Sequence, residues 1–360
     1  MDSLSKKEAK FSKLLKKELS GMGLRSFEDK AGSHFKGDCG NLYAFVKGSV
    51  KGVPRILLNA HVDTVMPGEN IRPKIRKGRI VSDGTTILGA DNKAGVAVIM
   101  EVLETLKEKK LPHGDIDVLF TVAEEISLFG SKYVDKKFLR SQFGFVLDGG
   151  DVDKIINKAP SQDSLDIKIT GRAAHAGVHP ENGINAIKVA SVAISNMRLG
   201  RIDHETTANI GIIKGGVATN IVPETVHIKG EARSHDIKKL RRQIDHMVKF
   251  LRNACAKYGA KLNCKVTHSY RAFEVPGDHD ALVIAKRAAM DIGLKPTVQA
   301  TGGGSDANIF ASFGLPCLII GVGADSVHTK KENIAVNDIV AGANFMLNII
   351  KESLNCSKGR

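Results

Sequence analysis

Ile56-Leu57-Leu58-Asn59-Ala60 runs directly into His61-Val62-Asp63-Thr64, and this stretch decides the architecture. It reads as a short buried strand whose carboxyl end carries an imidazole and a carboxylate. Two further stretches repeat the arrangement. Ile116 to Val122 is apolar and ends in Ala123-Glu124-Glu125, and Phe143 to Leu147 ends in Asp148-Gly149-Gly150. Between the first and second, Gly89-Ala90-Asp91-Asn92-Lys93 opens a helical pattern from about Ala94 to Lys107. Strands alternating with helices predict an α/β fold with a partly parallel sheet. In such sheets the ligand site lies beyond the carboxyl ends of the strands, so the polar residues that end these runs should converge there.

Outward from this core, residues 1–22 predict a helix with Phe11, Leu14, Leu15 and Leu19 on one face. From about Ser164 the texture changes. Leu165-Asp166-Ile167-Lys168-Ile169-Thr170 alternates apolar and polar, as a half-exposed antiparallel strand does. A helix over Gly183 to Leu199, strands near Ala208–Ile213 and Thr225–Ala232, a helix over Ile237–Tyr258 and a strand over Leu262–Tyr270 follow. That order is a ferredoxin-like β-α-β-β-α-β unit. After Pro276 the pattern returns to helix, strand and helix, with Cys317–Gly321 as a buried strand. The expected organisation is one domain over 1–163 plus 274–360, with a second over 164–273 inserted into it.

Composition narrows the function. The 360 residues are 42% hydrophobic and 26% charged, ordinary for a folded soluble protein. No apolar run approaches the ~20 residues of a membrane helix, and the lysine-studded N-terminus lacks the pattern of a signal peptide. A cytoplasmic protein is expected. Five cysteines without CxxC spacing argue against a disulfide framework and against thiolate zinc. The net charge of +14 is spread along the chain with no Arg-rich stripe, no finger spacing and no Trp, so nucleic acid is not an expected partner.

His61, Asp91, Glu125, Asp148 and His328 stand out as ligand types. Imidazole nitrogen and carboxylate oxygen without thiolate suit catalytic zinc, or cobalt or manganese, better than a closed structural site. A pair of metals needs a bridging ligand, and a short carboxylate such as Asp91 suits that role; the pair would clamp a carbonyl and activate water. Singly, each residue has a plainer reading: a structural histidine, a turn aspartate before Gly149, a solvated Glu124-Glu125 pair. Together, with three at predicted strand ends, they favour a site. Successive side chains along an extended backbone point to opposite sides, so Glu124 and Glu125 are expected to divide the roles of metal ligand and general base.

The ordered series of motifs resembles the M20 metallopeptidase family, and within it the peptidase T (tripeptide aminopeptidase)-like branch. The matching pieces are His61-Val62-Asp63-Thr64, Gly89-Ala90-Asp91-Asn92-Lys93-Ala94-Gly95, Glu124-Glu125 and Asp148-Gly149-Gly150. Ala174-His175-Ala176-Gly177, Pro180 to Ala186, Gly302-Gly303-Gly304-Ser305-Asp306 and His328 complete the set, which spans nearly the whole chain.

The resemblance implies a mixed-sheet dizinc exopeptidase catalytic domain with an inserted ferredoxin-like α+β domain, serving as lid and homodimer interface. His61, Asp91 and Asp148 would hold one metal, and Asp91, Glu125 and His328 the other, most commonly Zn2+. Glu124 would be the general base and Asp63 would orient His61. A cis peptide is implied after Asp91. His175 would reach the partner's active site to stabilise the oxyanion. Arg233 would grip substrate carboxylate or carbonyl, with a strand-surface ion pair as its alternative, and Asn220 is a further substrate contact. His179 matches no role and reads as surface. The glycine run lacks the lysine of a phosphate loop and reads as close backbone approach to substrate. The implied activity is a metal-dependent aminopeptidase on short peptides. A deacylase or dipeptidase on N-acylated amino acids or dipeptides would use the same metal site.

Overall fold

The structure is a computed structural model and describes residues 1–356. The chain forms two compact units. The first comprises Met1–Lys158, Glu274–Ala300 and Ser305–Arg360, and the second Ala159–Phe273 with Thr301–Gly304.

The first unit is built on a nine-stranded mixed sheet. Its strands run in the order Ser26–Glu28, Leu42–Val46, Ile116–Thr121, Ile56–His61, Phe143–Leu147, Cys317–Ile320, Lys154–Ala159 and Phe273–Glu274, with Thr297–Ala300 beside Lys154–Ala159. The four strands at its centre, from Ile116–Thr121 to Cys317–Ile320, are mutually parallel. Every residue of Ile56–His61, Ile116–Thr121 and Phe143–Leu147 is buried. This is why the three read as unbroken apolar runs: a parallel strand covered on both faces has no solvent side to fill with polar residues. Helix Ala90–Glu108 packs on two of these strands and on helix Val336–Ser353, which also meets Asp280–Asp291. A small antiparallel sheet of Ala324–Asp325, Asn333–Ala335, Arg79–Val81 and Lys74–Arg76 ties the late part of the chain to the segment ahead of Asp91.

The second unit is a five-stranded antiparallel sheet, ordered Gly200–Arg201, Thr206–Gly215, Thr225–Ser234, Ser161–Thr170 and Lys261–Tyr270. Helices Ala186–Ser195 and Ile237–Tyr258 cover one face. Leu165, Ile167 and Ile169 alternate inward to meet Val189, Leu240, Ile244, Met247 and Leu251. The last four recur at helical spacing, and Asp236 caps their helix by accepting the N–H groups of Lys238 and Lys239.

Three local differences from the sequence reading have physical causes. The unit boundary falls at Lys158, not after residue 163, because Ser161–Ser164 already pair with Glu231–Ser234. Thr301–Gly304 join the second unit, where the His235 ring donates to the Thr301 carbonyl at 2.9 Å. The first helix spans Ala9–Gly21, not residues 1–22, because the preceding residues take other partners: Leu4 bridges Thr64, and Ser3 and Ser5 bond with Val62 and Asp63. Among the described residues no helix is long and apolar enough to cross a membrane, and no disulfide forms.

Candidate active site

The parallel strands deliver their terminal residues to one place. His61 closes its strand in register with Thr121 of the neighbour, and Asp148 follows Leu147 directly. Beyond Thr121 the chain does not continue extended. Ala123 has φ 51°, and the N–H groups of Leu128 and Phe129 close back on the carbonyls of Glu124 and Ala123. A turn, and not the alternation of an extended strand, therefore sets the directions of Glu124 and Glu125. Asp91 lies at the head of helix Ala90–Glu108, where Gly89 at φ 75° and a non-helical Asp91 interrupt the spiral. The Asp91–Asn92 peptide is cis. His328, at φ 61°, comes from the loop ahead of Asn333–Ala335.

The five ligand-type side chains meet. His61 Nε2 lies 3.1 Å from Asp91 Oδ1, and His328 Nε2 lies 3.3 Å from Asp91 Oδ2 and 2.9 Å from Glu125 Oε1. One carboxylate thus turns one oxygen to each histidine. The ligand atoms of His61, Asp91 and Asp148 lie within 4.8 Å of one another, as do those of Asp91, Glu125 and His328. Glu124 is buried and forms a similar group with His61 and Glu125.

The electrostatics show a cluster short of positive charge. Burial pushes the Asp148 carboxyl up to about 7, with the Asp91 charge adding to it. Burial also raises Glu124 well above the ordinary range, against the pull of His61. Hydrogen bonds to Asp91 and Glu125 push His328 up to about 10. Burial works to raise Asp91, yet its bonds with His328 and His61 hold it below the carboxylate range. The donor set is nitrogen and oxygen, it divides into two groups sharing one carboxylate, and its carboxylates repel one another without a cation. These residues fit a pair of divalent metals.

Asp63 sits under this cluster. Its carboxylate faces His61 Nδ1 at 3.3 Å, accepts the N–H groups of Glu124 and Glu125 at 3.0 and 3.2 Å, and accepts the Ser5 hydroxyl at 2.6 Å. Two supporting groups escaped the sequence reading. Glu332, 1% exposed, accepts the N–H groups of Leu88, Gly89 and Asp91, each at 2.8 Å, and so shapes the loop that presents Asp91. Asp306 is buried, accepts the Thr121 hydroxyl and adds negative charge near Glu124. Glu332 stands between Lys331 and Asn333, and nothing local in the sequence marks it. Asp306 stands inside the Gly302–Asp306 motif, whose reading as close backbone approach to substrate gives its carboxylate no role.

His175, Asn220 and Arg233 belong to the second unit. His175 is exposed, bridges Ile221, and its Nδ1 accepts the Gly177 N–H; the Ala176 N–H donates to the Asn220 carbonyl. Arg233 Nε donates to Glu231 Oε1 at 2.9 Å and Nη1 to the Gly302 carbonyl at 3.4 Å, so the strand-surface ion pair is present. His179 is exposed and pairs with Glu181.

Comparisons with known proteins place the chain in a family. Residues 57–352 match the family model described as peptidase family M20/M25/M40. The uncharacterised protein YqjE of Bacillus subtilis is 41% identical over 354 residues, 98% of this chain and 95% of its own. Peptidase T of Fusobacterium nucleatum is 30% identical over 306 residues, 82% of this chain and 73% of its own. Among solved structures, aminopeptidase PepT from Bacillus cereus has a TM-score of 0.88 at 41% identity, covering 98% of this chain and 95% of that one. A tripeptidase from Staphylococcus aureus has a TM-score of 0.94 at 39% identity, covering 99% and 95%. The chain belongs to peptidase family M20/M25/M40, as a metallo-exopeptidase of its peptidase T-like branch.

Proposed function

We propose that the chain is a two-metal aminopeptidase that removes the N-terminal residue of tripeptides and similar short peptides. The observation that carries this reading is the Asp91 carboxylate, which offers one oxygen to the His61 group and the other to the His328 group. His61, Asp91 and Asp148 would hold one metal, and Asp91, Glu125 and His328 the second; zinc is the metal proposed, with cobalt or manganese as substitutes. When bound, the pair supplies a polarised substrate carbonyl and a water of lowered pKa.

The chain's own residues supply the rest. Glu124, buried beside His61 and outside the two ligand groups, takes the proton from the attacking water and returns it to the leaving amine. Asp63 holds the His61 ring from behind, which sets the nitrogen that faces Asp91. Arg233 is assigned to the substrate carboxylate or carbonyl, where its planar fork can exchange Glu231 for the ligand. Asn220 is assigned to the substrate backbone.

The second unit is assigned the roles of lid and homodimer interface, with His175 donating to the oxyanion in the partner's site. His175 stands on an exposed loop, and the same unit leaves Val178, Ile213 and Val217 more than half exposed, an apolar surface suited to a second copy of this chain. The cytoplasm is the proposed compartment, consistent with five cysteines and no disulfide among the described residues.

The test is release of the N-terminal residue from a free-amino tripeptide by chelator-stripped protein, with zinc, cobalt or manganese restored, beside Glu124→Gln. Metal-dependent cleavage that falls at least about 10²-fold in the variant supports the reading. Two bound metals with tripeptides spared and N-acylated substrates cleaved would overturn the aminopeptidase assignment.

A further inference from the structure

The residues ahead of the first helix are bonded to the underside of the site. The Ser3 hydroxyl donates to the Val62 carbonyl at 2.7 Å, the Thr64 N–H donates to the Ser3 carbonyl at 2.9 Å, and Leu4 pairs with Thr64. The Ser5 hydroxyl donates to Asp63 Oδ2 at 2.6 Å. Glu8, with no exposed surface, accepts the Ala123 N–H on Oε1 at 2.9 Å, across 115 residues of sequence. Three consecutive N–H groups of the turn are therefore held by two buried carboxylates: Ala123 by Glu8, and Glu124 and Glu125 by Asp63.

That arrangement answers a specific need. A left-handed φ costs a residue with a side chain about 1–2 kcal/mol, and such a conformation persists only where its surroundings over-determine it. Ala123 has φ 51° and no glycine's freedom. The turn must hold it there, because one residue later comes Glu124 and two later comes Glu125. A buried carboxyl beside Asp63 is costly in itself: burial first, then the Asp63 charge, pushes Glu8 up to about 8. An apolar side chain would fill the same space without that cost, but it would leave the Ala123 N–H without an acceptor.

We propose that Glu8, with Ser5 behind Asp63, is a positioning residue that sets the Ala123-Glu124-Glu125 turn and so aims the general base and one ligand of the second metal. The inference rests on the roles given above to Glu124 and Glu125. It predicts that the two metal groups respond differently, because His61, Asp91 and Asp148 are not on this turn.

The test uses the full chain with Glu8→Met, which keeps side-chain volume and removes the acceptor, and Glu8→Gln, which keeps a carbonyl acceptor. Zinc affinities of both sites are measured by competition with a chromophoric chelator, folding by circular dichroism, and kcat and KM on a tripeptide. Glu8→Met should fold, bind the first zinc as wild type does, and bind the second about 10–100-fold more weakly. At saturating zinc its kcat should fall about 10-fold or more with KM within about twofold. Glu8→Gln should stay within about threefold of wild type on every readout. A folded Glu8→Met with both affinities and kcat unchanged overturns the proposal, as does a Glu8→Gln as impaired as Glu8→Met. If Glu8→Met does not fold, Ser5→Ala decides: the Ser5 hydroxyl meets the Asp63 oxygen that accepts the Glu125 N–H, while the other oxygen faces His61, so a second zinc weakened more than the first supports the proposal, and affinities both unchanged or weakened alike overturn it. Wild type that neither binds zinc nor cleaves peptide refutes the functional reading instead, so the two failures are distinct.

Discussion

Replacing Glu332 by alanine should loosen the loop that carries Asp91 by several kcal/mol, and the structure gives the size. Glu332 Oε2 accepts the N–H groups of Leu88 and Gly89, and Oε1 accepts that of Asp91. Both oxygens face donors, so the ionised form is the one that fits, even though burial pushes this carboxyl up. Each buried N–H left without a partner costs about 1–3 kcal/mol. Three of them, partly relieved by water entering the space of the lost side chain, put the local loss at about 3–5 kcal/mol. Glu332→Gln should fall between, since its carbonyl still accepts while its amide N–H groups confront a backbone donor. The assay is amide hydrogen exchange of peptides spanning 84–95 in metal-free protein. A loss of 3–5 kcal/mol appears there as protection lowered by roughly 150-fold to several thousand-fold. Because Glu332 shapes the Asp91 loop and follows His328 by four residues, both zinc affinities should weaken, about 10–100-fold. Exchange within about threefold of wild type, with both affinities intact, would refute the clamp.

Three more predictions follow from particular contacts. Gly95→Ala would set a Cβ against Asn92 Oδ1 and 2.6 Å from the Leu147 carbonyl, wedging the Asp91 helix off the strand that ends at Asp148; a stability loss of about 1–3 kcal/mol in urea and weaker binding at the His61 group should follow. Mixing inactive Glu124→Gln with inactive His175→Ala should restore about a quarter of wild-type activity, since half the dimers are mixed and each has one complete site; no recovery under conditions of subunit exchange sinks the partner role of His175. Glu8 is raised from 4.5 to about 8, so the stability tied to its protonated form is whole below pH 4.5 and is lost as pH climbs through 8, by roughly 1.4 kcal/mol per unit between. Urea titrations at about pH 5 and pH 9 should therefore show Glu8→Gln losing less stability than wild type; parallel losses would contradict the buried-carboxyl account.

What the sequence made legible, and what it hid, divides along a physical line. His61, Asp148 and the Glu124-Glu125 pair could be picked out because each ends a run buried on both faces, and a polar residue at such a place is conspicuous against its neighbours. The strands Phe143–Leu147 and Thr225–Ser234 and the helix Ile237–Tyr258 were similarly open to reading, since burial writes its period into the side chains. The groups that hold these residues in place leave no such mark. Glu332 and Glu8 act on backbone N–H groups 241 and 115 residues distant, and a carboxylate that bonds backbone places no demand on the residue type it meets. Ala123 is one step further removed. Left-handed φ ordinarily announces itself as glycine, yet here alanine adopts it because partners from residue 8 and from the Leu128–Phe129 turn impose it. The amphipathic pattern of Phe11, Leu15 and Leu19 even misdirects the reading of residues 1–8 by extending a true helix backward over them. A helical period is evidence for a helix only where the backbone has no better partner, and the backbones of Ser3, Leu4 and Ser5 pair with Thr64 beneath the active site.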